Sequence, residues 1–238
     1  MTIHAIILQL VAISFSQTII RNNFEKKLKQ MVKLLFLLST LSYSLFGHKV
    51  ISEWETAKKT ESVELQYRWV NVGDSLKTRE LRALLTINAS IGSIVKNLHT
   101  EKNYQQWSVG VENCKTYEKS GNGWVMYTLF DIPKPFTQQD LIARYTIEKD
   151  GNRTVIKVES IPEYLPVKNG ISRMKNYLGC WVFEAVSGNC SHITFYSTSF
   201  TKPMFPRFIQ DPIIQRMLVK SFESLIKMSE NEYLEKNV

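Results

Sequence analysis

From Ser62 onward the chain alternates apolar and polar residues in short runs broken by turn-forming tripeptides, the pattern of half-buried strands. Ser62–Val72 reads as a first strand ending at Gly73-Asp74-Ser75, and Arg79–Asn88 returns from that turn. Ser90 then offers a helix N-cap, with Ile91, Ile94, Val95 and Leu98 spaced for one buried face. After Trp107 the pattern predicts strands over Val109–Lys119, Gly123–Asp131, Leu141–Glu148, Thr154–Ser160, Gly179–Val186 and Ser191–Phe200. The turns Ser120-Gly121-Asn122-Gly123, Lys149-Asp150-Gly151-Asn152 and Ser187-Gly188-Asn189 supply residues that tolerate positive φ. Such short connections imply antiparallel neighbours, and no βαβ rhythm is visible. Upstream, Ser52–Lys59 reads as a short charged helix centred on Trp54.

The chain ends in a different period. Asp211-Pro212 reads as an N-cap followed by proline at the first helical position. Ile214, Met217, Leu218, Ser221, Phe222 and Leu225 then make an apolar stripe opposite Gln215, Arg216, Lys220, Glu223 and Lys227. That stripe needs an apolar partner, and the sheet is the one large surface on offer. The expected class is therefore α+β. A sheet of about eight strands twists enough to curl, and curled around one helix it leaves a gap that becomes a cavity.

Two apolar stretches precede this domain. Ile3–Ile20 approaches the length of a membrane span but is diluted by polar residues. Met31-Val32-Lys33, the apolar run Leu34–Leu38 and the small or polar residues to Gly47 outline a secretory signal peptide. Three accounts follow. Translation starts at Met31, residues 1–30 being a mis-assigned start or hydrophobic leader, 31–47 the signal, and the product exported to a periplasm or beyond the cell. Alternatively 3–20 anchors the chain in a membrane, or 34–46 is a core helix. The domain proper is 48–238.

Charge narrows the partners. The 238 residues carry a formal +8, but the first fifty hold six basic residues against one acid, which leaves the body weakly basic with interspersed signs. Nucleic acid is not expected as a partner. Three cysteines, Cys114, Cys180 and Cys190, cannot all pair. The turn at 187–189 sets residue 186 against 190 and Cys180 against about 196, so a Cys180–Cys190 bridge is not expected.

Catalytic constellations are sparse. His99 and His192 are the histidines of the domain, and neither has a spacing that selects a nucleophile. There is no HExxH, CxxC or His/Cys cluster, so no metal and no cofactor are expected. Glu159 and Glu163 flank a turn and read as solvated edge charges ahead of an acid–base pair. What stands out is apolar payload on both faces of strands: Trp124, Met126, Thr128 and Phe130 on one parity, Val125, Tyr127 and Leu129 on the other. Leu141, Ala143, Tyr145 and Ile147 share a face, as do Trp181 and Phe183.

These landmarks, taken in order, resemble the START family of lipid-transfer domains within the helix-grip superfamily. They are Ile87-Asn88-Ala89-Ser90 entering a helix, Trp107, Ile132-Pro133-Lys134-Pro135-Phe136, Gln139-Asp140-Leu141-Ile142, and Arg173 six residues before Gly179-Cys180-Trp181-Val182. Ile193–Ser199 and Phe205-Pro206 complete the set, which spans about residues 60–230. The resemblance implies a helix-grip fold, a curved antiparallel sheet wrapped around a long C-terminal helix, and noncatalytic carriage of a lipid or other hydrophobic small molecule by a monomer. The alternative is a polyketide cyclase-like or hydrolase-like enzyme on the same scaffold. Many family members have Arg-Asp where this chain has Gln139-Asp140, and the acidic partner of that Arg would fall near Thr128. A buried charge pair at the cavity floor is therefore expected to be missing. With this layout the candidate cavity wall is Trp124, Met126, Phe130, Tyr145, Trp181, Phe183, Phe195, Ile214 and Leu218. The Pro-flanked segments Ile132–Phe136 and Thr201–Phe208 are candidate gates, and Lys202, Met204, Phe205 and Arg207 mix basic and apolar tips as a transient membrane contact would.

Overall fold

The computed structural model describes residues 48–72, 76–132, 137–187, 189–200 and 206–236. The chain divides into a unit Met1–Lys49 and a unit Val50–Val238. The readings of residues 1–47 as leader, anchor or signal lie outside the described residues.

The strands are β1 (His48–Val50), β2 (Glu55–Lys59), β3 (Val63–Val72) and β4 (Leu76–Ile87), followed after the helices by β5 (Val111–Ser120) and β6 (Gly123–Phe130). Next come β7 (Gln138–Asp150), β8 (Arg153–Ser160), β9 (Ile171–Arg173), β10 (Tyr177–Ser187) and β11 (Cys190–Ser199). The helices are α1 (Ile91–His99), α2 (Glu101–Trp107), a 3-10 turn at Pro162–Tyr164, and α3 (Arg207–Lys236). Within the larger unit the strand order is β3-β4-β11-β10-β8-β7-β6-β5, with β2 on β3 and β9 on β7. The pairings among β2 to β11 are antiparallel except β7–β9. The sheet is open, and with the long C-terminal helix it forms the α+β helix-grip architecture.

One face of the sheet and α3 share the main core. Val63, Leu65, Ala83, Leu85, Met126, Ala143, Ile156, Trp181 and Ile193 on strands meet Val219, Phe222 and Leu225 on the helix. The second half of α3 is also held by polar contacts. Asn97 Nδ2 donates to Ser229 Oγ at 3.1 Å, and the Asn88 backbone N–H and Nδ2 donate to Glu230 Oε1 at 3.0 and 2.9 Å. Gly110, at φ +86°, lets the loop before β5 pass directly beneath the Met217 side chain, while the Val109 N–H donates to Ser221 Oγ at 2.9 Å.

Two predicted elements differ, and a third element is additional. The segment 52–59 is not helical: Glu55–Lys59 pairs with the edge of β3, and Trp54 is held on the sheet between the guanidinium groups of Arg68 and Arg82, 4.4 and 4.2 Å from its ring centre. A strand edge offered backbone partners that an isolated eight-residue helix lacks. Helix α3 begins at Arg207, so Asp211 is not its N-cap and Pro212 lies inside it. The Asp211 carboxylate is engaged instead by Arg79 and Arg207. Pro212 follows the first turn closely, and the carbonyl it leaves without an amide is that of Phe208, on an exposed turn where water can reach it. Helix α2 was not anticipated as a separate element.

Candidate functional site

Strand alternation sorts the side chains. Trp124, Met126, Thr128 and Phe130 of β6 face the helix side, as do Leu141, Ala143 and Tyr145 of β7. Val125 and Tyr127 with Ile142 form a second, smaller core on the opposite face, covered by Ile161, Tyr164 and Leu165. The double-sided apolar character of β6 thus has two causes, one core on each side.

That outer cover is clamped by a buried ion pair. Arg173 Nε and Nη2 donate to the two Asp140 oxygens at 2.6 and 2.9 Å, with both side chains almost fully enclosed. The remaining guanidinium hydrogens go to the carbonyls of Pro162, Leu165 and Pro166 at 2.7, 2.8 and 3.3 Å. Asp140 shares its parity with Ile142, so the pair sits on the outer face and not toward the helix. At the positions where a family pair was expected to be absent, the chain has half-buried Gln139 and buried Thr128.

On the inner face the structure brings most of the predicted wall together. Trp181 stands at its centre, with ring-centre distances of 4.5 Å to Phe195, 5.9 Å to Phe222, 6.1 Å to Phe183 and 6.2 Å to Trp107. Trp124 stacks on Tyr145 at 4.6 Å. Phe130 and Leu218 are half-buried against the same core. Ile214 is half-buried and outside that cluster. Of the proposed membrane loop, Arg207 is described, 5.3 Å over the Trp69 ring, while Lys202, Met204 and Phe205 lie outside the described residues. Of the gate 132–136, only Ile132 is described.

Sequence reasoning missed Tyr104 and Tyr177, which join Tyr145 and Thr128 in the interior. Tyr104 of α2 packs edge-on to Trp107 at 5.0 Å. Burial pushes the Tyr104 pKa up, and hydrogen bonding with the Tyr145, Ser108 and Thr128 side chains offsets part of that rise. Tyr177 of β10 reaches back over Gly179, whose missing Cβ would lie 3.2 Å from the tyrosine hydroxyl, and it interacts with Ser197. Burial raises the pKa of all three tyrosines, so each stays a neutral hydroxyl. Among the buried polar atoms without a hydrogen-bond partner are the indole nitrogen Nε1 of Trp124 and the imidazole Nδ1 of His99, whose rings are 5.4 Å apart. Burial lowers the His99 pKa, which favours the uncharged ring.

Other candidates disperse. His192 is exposed and bonded to Thr86 Oγ1 at 2.8 Å, and Glu159 and Glu163 are both exposed. Cys180 pairs across the ladder with Tyr196, as the turn implied, and Cys114, Cys180 and Cys190 form no disulfide among the described residues. Among the described residues, no three His, Cys, Asp or Glu side chains group as metal ligands would.

No protein-family model matches the chain. Among curated proteins, an uncharacterized protein of Pseudomonas aeruginosa is 22% identical over 160 residues, covering 67% of this chain and 78% of that one. Among solved structures, a STAR-related lipid transfer protein from Xanthomonas axonopodis (fragment 25–204) aligns with a TM-score of 0.65 at 22% identity, covering 74% of this chain and 98% of that one. Human STARD10 aligns at 0.62 and 15% identity, covering 78% of each chain. Human StAR-related lipid transfer protein 5 aligns at 0.62 and 12% identity, covering 86% of this chain and 97% of that one.

Proposed function

We propose that this chain, which has the START-type helix-grip fold, binds a lipid or similar hydrophobic molecule between the inner face of its sheet and α3, and carries it without chemical change. The observation that carries the reading is the inner face itself: rings and aliphatic groups of Phe130, Tyr104, Met174, Tyr177 and Leu218 remain half-buried beside a fully buried core. Proteins whose structures align with this fold are named as lipid transfer proteins. Enclosing apolar surface gains roughly 25 cal/mol per Å², so covering about 300 Å² of ligand is worth about 7 kcal/mol before the entropic cost of capture. That is sufficient for retention, and no covalent step is needed.

Release requires an opening, and α3 is held differently along its length. Its second half is fixed by Phe222, Leu225 and the Asn97 and Asn88 contacts. Its first turns are held on the sheet by Arg79, which pairs with Asp211 and lies over the rings of Tyr67 and Trp69 at 4.2 and 4.7 Å. Polar clasps exchange with water more readily than packed rings do, so the first turns are the hinged end in this reading. The same turns expose Phe208, Ile209 and Ile213, beside Lys202, Met204, Phe205 and Arg207 in sequence. We assign this edge to transient contact with a membrane surface.

The carrier reading is tested by native mass spectrometry of the purified protein after incubation with lipid vesicles. A bound apolar molecule at one per chain is expected, and persistent absence of any adduct would remove the reading. For the membrane edge, Phe208→Asp is expected to cut co-flotation with vesicles at least fivefold; unchanged flotation would assign these side chains to packing alone.

A further inference from the structure

The dipeptide Asn-Gly occurs twice in the chain, at Asn122-Gly123 and at Asn169-Gly170. An asparagine in this setting carries a reactive arrangement of its own. Its side-chain carbonyl carbon can close a five-membered ring with the next backbone nitrogen, and a following glycine has no side chain to hinder the approach. The fold decides whether that nitrogen is free, and it treats the two sites in opposite ways.

Asn122-Gly123 is built into the ladder. Gly123 pairs with Ser120 of β5 on one side and with Thr146 of β7 on the other. The Asn122 carbonyl accepts the Ile147 N–H at 2.8 Å, and the Asn122 N–H donates to Ser120 Oγ at 3.3 Å. A Cβ at Gly123 would overlap the Tyr145 carbonyl oxygen, so the backbone here has no room to turn toward the asparagine side chain.

Asn169-Gly170 is the tip of a loop, and residues 166–170 are all exposed. The Ile171 N–H donates to the Lys168 carbonyl at 3.2 Å and Gly170 has φ +78°, which makes 168–171 a type II turn with glycine in its third position. The amide bonded in such a turn is that of the fourth residue, so the turn leaves the Gly170 nitrogen unengaged beside the asparagine. A Cβ at Gly170 would meet no atom within 4 Å, and no hydrogen bond to the described residues holds the Asn169 carboxamide. The loop is nevertheless tied at both ends. The Pro166 carbonyl accepts from Arg173 Nη2 at 3.3 Å, and Ile171 pairs with Gln138 at the start of β9.

We propose that Asn169 is a site of self-modification, which loses ammonia in the folded protein and becomes isoaspartate and aspartate, while Asn122 is protected. The Gly170 nitrogen attacks the Asn169 side-chain carbonyl carbon and gives its proton to solvent. The bond from that carbon to the amide nitrogen breaks, releasing ammonia and leaving a succinimide. Water then opens the ring. Attack at the main-chain carbonyl leaves the chain running through the former side chain, as isoaspartate, and attack at the other carbonyl gives aspartate. One water is consumed and one ammonia released, with no change of oxidation state. Aspartate only adds a negative charge to a solvated turn next to Lys168. Isoaspartate also lengthens the main chain by one carbon between the anchors at Pro166 and Ile171, so it strains the Arg173–Asp140 clamp and loosens the 161–166 cover. The modification is independent of the carrier reading.

The test ages the full chain at about pH 8 and 37 °C, digests it with trypsin, and follows both asparagine peptides by mass spectrometry for the gain of about 1 Da that replacing an amide by an acid brings. Asn169 is expected to convert at least tenfold faster than Asn122 in the folded chain. In concentrated urea, where sequence alone acts, the two rates are expected to agree within about threefold. Equal rates in the folded protein, or a faster Asn122, would overturn the proposal, as would a folded chain that stays unmodified while the urea-treated one converts. Asn169→Gln, whose longer side chain must close a six-membered ring, is expected to abolish the fast conversion; its persistence would place the reaction at another residue. For the structural consequence, the isoaspartate form is separated from aged protein and exposed to chymotrypsin. Cleavage after Tyr164 is expected at least fivefold faster than in fresh protein, and within twofold of fresh protein for Asn169→Asp. An isoaspartate form cut no faster than fresh protein would sink the loosened cover.

Discussion

Burial of ionisable side chains gives the residue scale a signature in pH. Burial pushes the Cys114 thiol from 9.0 up to about 11, and Tyr104, Tyr145 and Tyr177 are raised above their ordinary 10.0 for the same first cause. Each group has a folded pKa above its unfolded one, so the unfolded chain releases protons that the folded chain retains. Their contribution to stability is therefore intact below pH 9 and falls as pH rises from there through 11. His99 runs the other way: its folded pKa lies below 6.5, chiefly through burial and then through Lys119, so the unfolded chain takes the proton first and stability falls as pH drops below 6.5. The urea midpoint measured from pH 5 to pH 10.5 should trace a dome, and a midpoint flat above pH 9 would contradict this placement of the thiol and the phenols. The same scale shows where sequence reading stopped. Trp124, Tyr145, Trp181 and Phe183 were legible because each sits inside an unambiguous alternating run. Tyr177 was missed because the predicted strand began at Gly179, two residues late, leaving the tyrosine outside the parity that would have turned it inward. Tyr104 was missed with its helix; its spacing of three from Trp107 was the available signal.

Elements were read most reliably where turn chemistry fixed them. The predicted β10–β11 register placed Cys180 opposite Tyr196 correctly, although Cys190 pairs with Ser187 and not with residue 186, because the register shifts between Ala185 and Ser187; Ser90 caps α1 by accepting from the Ser93 N–H at 3.3 Å. Elements defined by distant partners were not legible. Strand β9 is three residues long and exists because it pairs in parallel with β7, and the 161–166 cover depends on a guanidinium reaching three of its carbonyls. Arg173 and Asp140 were both noticed in sequence, but nothing local could join residues 33 positions apart. Arg173→Ala should leave the Asp140 carboxylate buried without its cation and free three carbonyls, at a cost of about 3–5 kcal/mol. Urea unfolding at pH 7 checks this, and a loss under about 1 kcal/mol would mean that the outer cover stands by its apolar contacts alone. Asp211 illustrates the reverse error. As a local signal it is a good N-cap, but Arg79 from β4 claims the carboxylate and the helix starts one turn earlier.

For the whole molecule, the order of strands separates what the sequence joins. Strand β4 lies beside β11, pairing Glu80 with Thr198 and Ile87 with Ser191 across more than a hundred intervening residues. Closing so long a loop is slow, because its entropy is lost before the contact rewards it. A nascent chain that has emerged only as far as β8 can form the β3–β4 hairpin and the β5–β8 meander, but these remain two unjoined sheets with their greasy sides open to water. Synthesis must pass residue 199 before one sheet exists, and reach α3 before that sheet has a lid, so the protein matures late and all at once, and while it is being made it needs shielding from its neighbours.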